Sequence, residues 1–166
     1  MTAWQWQKKL DPTYDTYGAG LENYDYAARV AVSDVEKAVA AFATTGKIKK
    51  PLVTIAGTMD ALLPIDRHAR AYEAKVAASR KGNNDERSAQ YRLYEIQNGN
   101  HVDNFKSLFF PLQLEYLQPH AQQAFELLVD HVENRTPLPP GQCVPRGGVI
   151  ASKPAQAGHC GSLFVP

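Results

Sequence analysis

Pro51-Leu52-Val53-Thr54-Ile55-Ala56-Gly57 is a short β-branched run without polar alternation, and the loop Thr58-Met59-Asp60-Ala61-Leu62-Leu63-Pro64 follows it. Such a run predicts a strand buried on both faces, as in parallel sheets covered by helices. Downstream, Asp66 is suited to cap a helix from Arg67 to about Ser79, with Ala69, Tyr72, Ala74 and Val76 on its buried side. Residues 80–90 are charged and polar, contain Gly82-Asn83-Asn84, and read as an exposed loop. Tyr91-Arg92-Leu93-Tyr94-Glu95-Ile96 predicts a second strand, with Tyr91, Leu93 and Glu95 on one side and Arg92, Tyr94 and Ile96 on the other. Its polar content places it nearer the sheet edge than the first. The turn Asn98-Gly99-Asn100-His101 comes next, and an apolar stripe of Ala121, Ala124, Phe125, Leu128, Val129 and Val132 predicts a helix over 119–134, ended by Pro137, Pro139 and Pro140.

Upstream, Ser33 and Glu36 form a capping box for a helix over 34–44, which Thr45-Gly46 stops. The order helix, strand, helix, strand, helix is that of an α/β fold. Two strands alone do not make a stable sheet covered on both faces, so a second copy or another chain segment is expected to supply the rest. Three regions follow: an irregular aromatic-rich segment over 1–33, the α/β region over 34–134, and a Pro/Gly-rich tail over 135–166 expected to be irregular.

The chain has 166 residues, enough to bury a sizeable core, and is 44% hydrophobic and 21% charged with a formal charge of +1. That balance gives no footprint for nucleic acid or an anionic membrane; Lys49-Lys50 and Arg80-Lys81 read as solvated pairs. No apolar run is long enough to span a bilayer, and Met1-Thr2-Ala3-Trp4-Gln5-Trp6 does not read as a signal peptide. The cysteines, Cys143 and Cys160, both lie in the tail and suit a disulfide that clips it. An oxidised pair implies a secreted or periplasmic setting; free thiols fit the cytoplasm equally well.

In open α/β sheets the chemistry sits beyond the carboxyl ends of the strands. Asp60 follows the first strand by three residues and His101 the second by five. Parallel neighbouring strands would bring both loops to one rim, where the carboxylate accepts a hydrogen bond from one imidazole nitrogen and leaves the other as a base. The plainer readings are a turn aspartate and a surface histidine. Asp66 and Asp103 are the other candidates for the acid, although Asp66 fits better as a helix cap and Asp103 is very close to His101 in sequence.

The segment Gly57 to Pro64, then a helix, then Tyr94-Glu95-Ile96-Gln97-Asn98-Gly99-Asn100-His101, resembles the last third of an α/β-hydrolase over residues 47–134. In that family one strand ends in Gly-x-x-Asp and the next in Gly-x-His, in the chain order Ser, Asp, His. The resemblance implies a partial α/β-hydrolase sheet with flanking helices, Asp60 as the triad acid, His101 as the general base, and no cofactor. It also implies a serine esterase acting on a small-molecule or oligomeric ester, with polyester oligomers and aromatic esters as the suggested subclasses.

The nucleophile elbow Gly-x-Ser-x-Gly is absent: Ser33, Ser79, Ser88, Ser107, Ser152 and Ser162 all lie in other settings. The serine is therefore expected outside this chain, the partner being a missing N-terminal hydrolase segment or a second copy. Residues 1–30 would be a cap remnant, with Trp4 and Trp6 either lining a substrate groove or simply packing. Two further readings compete with this one. Cys143, His159 and Cys160 could ligate a metal, although the spacing matches no zinc pattern. The chain could also be an interaction module that lost catalysis. No phosphate-binding glycine loop is present, because the tail glycines lack a strand-to-helix context.

Overall fold

The computed structural model describes residues 34–80, 90–105 and 113–165. The expected aromatic segment over 1–33, including Trp4, Trp6 and the Ser33 half of the capping box, lies outside the described residues, as does most of the 80–90 loop. The described residues fall into two units, divided between Ala43 and Thr44. Helix α1, Asp34–Phe42, belongs to the first, and its acidic Asp34 and Glu36 in the first turn favour the helix N-terminus.

The second unit holds β1 (Leu52–Gly57), α2 (Ala69–Arg80), β2 (Tyr91–Ile96), a 3-10 turn (Asp103–Phe105), α3 (Gln118–Asn134) and β3 (Gln142–Val144). The sheet order is β1-β2-β3. Strands β1 and β2 are parallel and in register from Leu52 opposite Tyr91 to Gly57 opposite Ile96. Residue alternation gives the sheet two apolar faces. On one, Leu52, Ala56, Tyr91 and Leu93 pack with Ile65, Ala69, Tyr72 and Val76 of α2 and the loop before it. On the other, Val53, Ile55, Tyr94, Ile96 and Val144 pack with Ala124 and Leu127 of α3, together with Leu117 and Ile150. This is a small three-layer α/β fold with an open parallel sheet, matching part of an α/β-hydrolase arrangement.

Three expectations change. The tail is not wholly irregular: β3 pairs in parallel with β2, Tyr94 opposite Gln142 through Ile96 opposite Val144, so the chain supplies a third strand itself. Gln-Cys-Val is too short to show a period, which is why it is invisible in the sequence. The burial order of the first two strands is also reversed. β2 lies in the centre and all of it but Arg92 is buried, whereas β1 is half-buried up to Gly57 and has no strand on its other side among the described residues. Three of the polar side chains of β2 are accommodated by partners: Tyr94 Oη and Arg92 Nε donate to the Pro139 carbonyl at 3.1 and 3.0 Å, and Glu95 is held by Arg70. Apolar composition marks what a strand can bury; partners decide what it does bury.

The third change is at α2, which begins at Ala69 rather than Arg67, because Pro64 and Ile65 carbonyls organise a preceding turn. Asp66 does not cap it; its carboxylate accepts from Arg70 Nη1 at 2.8 Å, one helical turn on. Helix α3 takes its cap from a distance. Asp103 Oδ1 and Oδ2 accept the backbone N–H groups of Leu117 and Gln118 at 2.6 and 2.8 Å, satisfying two donors that a helix start leaves open. Among the described residues no helix is long and apolar enough to cross a membrane.

Candidate active site

The loops leaving β1 and β2 continue side by side beyond the ladder. Thr58 N–H donates to the Ile96 carbonyl at 3.0 Å, and Met59 N–H to the Gly99 carbonyl at 2.8 Å. Glycine permits this approach: a Cβ on Gly57 would lie 2.3 Å from the Gly99 oxygen, closer than any non-bonded contact allows. Asn98 turns the second loop with a left-handed φ of 61°, a conformation asparagine tolerates better than most residues.

This juxtaposition brings Asp60 and His101 together, 41 residues apart in sequence. His101 Nδ1–H donates to Asp60 Oδ2 at 2.9 Å. The other oxygen, Asp60 Oδ1, accepts the N–H groups of Leu62 and Leu63, both at 2.9 Å. The carboxylate is thus clamped in orientation by its own loop. Burial alone would raise its pKa, but the Leu63 N–H, the His101 ring and the Leu62 N–H outweigh that and hold it below its ordinary value. An ionised Asp60 fixes the proton on Nδ1. Nε2 then carries a lone pair, and it makes no hydrogen bond with the described residues. The Asp60 side chain is 13% exposed and that of His101 34%, so the carboxylate is covered and the imidazole remains reachable.

Of the other sequence candidates, Asp66 pairs with Arg70 and Asp103 caps α3, so neither stands in for the acid. Ser79 Oγ bonds to the Gly46 and Val76 carbonyls, and Ser162 Oγ to that of Phe164. The metal reading is overturned by the sulfurs themselves: Cys143 and Cys160 form a disulfide, which removes both as thiolate ligands. His159 instead approaches Glu95 and Glu73, and no group of three or more potential ligands occurs among the described residues.

Sequence reasoning missed Glu95. Its carboxylate is fully buried on β2 and accepts from Arg70 Nε and Nη2, both at 2.7 Å, from His159 Nδ1 at 2.6 Å and from Cys160 N–H at 2.7 Å. Burial raises its pKa, and these donors outweigh that to leave it below the ordinary value. It also missed Thr58 and Asn98, whose side chains tie the site loops to the tail. The Asn98-Gly99 pair signalled a turn, but nothing local signalled a partner some 67 residues away.

Comparison with known proteins gives the family. The family model for the 3HB-oligomer hydrolases matches residues 13–162. The chain is 36% identical over 111 residues to a D-(-)-3-hydroxybutyrate oligomer hydrolase of Burkholderia thailandensis, covering 64% of this chain and 15% of that protein. Proteins of the same name from Burkholderia mallei and Burkholderia pseudomallei are 36% identical over 110 residues, with the same shares. The chain thus spans only about 15% of the length of these curated relatives. No solved structure matches it. With a partial α/β-hydrolase sheet and a family match over most of its length, the chain belongs to the 3HB-oligomer hydrolase family.

Proposed function

We propose that the protein built on this chain hydrolyses carboxylic esters, with Asp60 as the acid and His101 as the general base of a Ser-Asp-His triad whose serine lies outside these residues. The observation that carries this reading is the Asp60–His101 hydrogen bond at the ends of two parallel strands. The names of the relatives support oligomers of 3-hydroxybutyrate as the substrate class.

In this mechanism Nε2 of His101 takes the proton of the seryl hydroxyl as its oxygen attacks the ester carbonyl. The imidazolium that forms is stabilised by the ionised Asp60 and then delivers its proton to the leaving alkoxide. Water enters and attacks the acyl carbonyl as His101 removes its proton; the bond from the acyl carbon to the seryl oxygen then breaks, His101 returns the proton to that oxygen, and the acyl group leaves as a carboxylic acid. Asp60 stays ionised throughout because three donors hold it. The side of β1 that has no strand partner among the described residues suits the segment that carries the nucleophile, since such an edge offers backbone groups for pairing. The Cys143–Cys160 disulfide favours a secreted or periplasmic setting.

A fluorophosphonate probe applied to the full-length protein, followed by peptide mapping, tests this division of labour. Labelling of a serine outside residues 1–166, slowed in a His101→Ala variant, is expected. Labelling confined to a serine of this chain would overturn the proposed division by placing the nucleophile here, and a rate indifferent to His101 would remove the proposal and favour the interaction-module reading.

A further inference from the structure

From Gln156 to Val165 the tail crosses the sheet from the β3 edge to the loop that leaves β1. It starts beside β3, where Cys143 N–H donates to the Gln156 carbonyl at 3.2 Å and Gly158 N–H to that of Gly141 at 2.8 Å. It is fastened there by the disulfide from Cys160 to Cys143. It then passes β2, where His159 and the Cys160 N–H are held by buried Glu95. Finally it reaches the two site loops. Gln97 Nε2 donates to the Ser162 carbonyl at 3.0 Å, Thr58 Oγ1 donates to the Leu163 carbonyl, and Asn98 makes a two-way amide pair with the Val165 backbone.

Thr58 and Asn98 also hold each other. Asn98 N–H donates to Thr58 Oγ1 at 3.0 Å, so that hydroxyl accepts from the His101 loop while donating to the tail. Asn98 is completely buried, and its backbone carbonyl accepts Glu115 N–H at 2.9 Å. Thr58 stands two residues before Asp60, and Asn98 three before His101. Each loop of the pair therefore has one buried polar residue fixed both to the other loop and to the tail, Thr58 through its hydroxyl alone, and Asn98 through its backbone N–H to Thr58 and its side-chain amide to Val165.

We propose that Thr58 and Asn98, gripped by the Ser162–Val165 segment, are positioning residues that set the distance and orientation between Asp60 and His101. This rests on the hydrolase reading of that pair, and it assigns the tail to the site rather than to general stability. The chemistry is hydrogen bonding alone: a threonine hydroxyl that must both donate and accept, and a primary amide matched to one backbone unit. A loop displaced by about an ångström costs an oriented base on the order of 10²-fold in rate.

The experiment compares Thr58→Val, Thr58→Ser and Asn98→Ala in the full-length protein, alongside the Cys143→Ser/Cys160→Ser double variant. Two readouts are taken: kcat against KM on a 3-hydroxybutyrate oligomer, and the downfield NMR resonance of the His101 Nδ1 proton, which reports the bond to Asp60 directly. Thr58→Val removes both hydrogen bonds at nearly constant volume, whereas Thr58→Ser keeps both. The expected result is a fall in kcat of about 10²-fold with little change in KM for Thr58→Val and Asn98→Ala, with the His101 proton signal broadened or lost. Thr58→Ser should keep both, and the serine double variant should fall between. Wild-type kcat with an intact proton signal in Thr58→Val would overturn the proposal. If the signal changes as expected but His101→Ala leaves turnover intact, the positioning role stands and the hydrolase reading fails. If a variant unfolds by circular dichroism, the serine rescue and the reduced wild-type protein still decide, because an unchanged His101 signal on tail release contradicts the role.

Discussion

At the residue scale, the chain concentrates its charge chemistry in two carboxylates, each stabilised in ionised form by named donors. Asp60 keeps one oxygen for its own loop and one for His101. Replacing it with asparagine preserves the shape but loses the charge that favours the Nδ1–H tautomer and the imidazolium. Ester turnover by the full-length protein is expected to fall by about 10³–10⁴-fold, measured as kcat. Glu95 plays the structural counterpart. Glu95→Gln leaves the Arg70 guanidinium, 19% exposed, without its buried counter-charge, and denaturant unfolding is expected to show a loss of about 3 kcal/mol. The pH dependence has a definite sign. The folded pKa of Glu95 lies below the ordinary 4.5, so its stabilising contribution is complete above that value and is lost as pH falls through the folded value. Acid titration of the wild type should show a destabilisation below about pH 4.5 that Glu95→Gln lacks. Asp60 and His101 were legible from their places after two strands. Glu95 was not, because its donors come from α2 and from a tail residue 65 positions away, and a strand glutamate gives no sign of such partners.

At the scale of elements, the site depends on how closely two strand exits approach and on how α3 begins. Gly57 faces the Gly99 carbonyl with no room for a methyl group. Gly57→Ala should push the Asp60 and His101 loops apart, weakening the His101 Nδ1 proton signal and lowering kcat, while the far-UV spectrum of the sheet persists. Asp103 supplies a cap across 14 residues of sequence to the start of α3. Asp103→Ala should cost about 1 kcal/mol, read as a shift in the denaturation midpoint without loss of the His101 signal. The first two strands and the main helices could be read from period and β-branching. The edge-centre order of β1 and β2 could not, since polar residues in a strand report exposure only when no partner buries them. The three-residue β3 carries no period, and its pairing with β2 is a property of the assembled sheet.

At the scale of the whole molecule, the second unit holds the hydrogen-bonded Asp60–His101 pair on a small open sheet whose tail is fastened across the strand ends. The disulfide closes a separation of 17 residues, and removing such a link is expected to cost about 3 kcal/mol through the entropy of the freed loop. That loss should be seen first as faster hydrogen exchange in residues 156–165. The sequence resemblance to α/β-hydrolases agrees with the sheet and with the family match over residues 13–162, whereas the tail's route after Cys160 lay beyond it, because that stretch is held to the site loops through backbone groups that any residue could supply. The proposed role of Asp60 and His101 is the relay of an ester hydrolase. Its most direct test is the initial rate of 3-hydroxybutyrate oligomer hydrolysis by the full-length His101→Ala protein, with folding verified by circular dichroism. A folded variant with turnover reduced at least about 10³-fold is the result expected; a folded variant that hydrolyses the oligomer at the wild-type rate would contradict the claim.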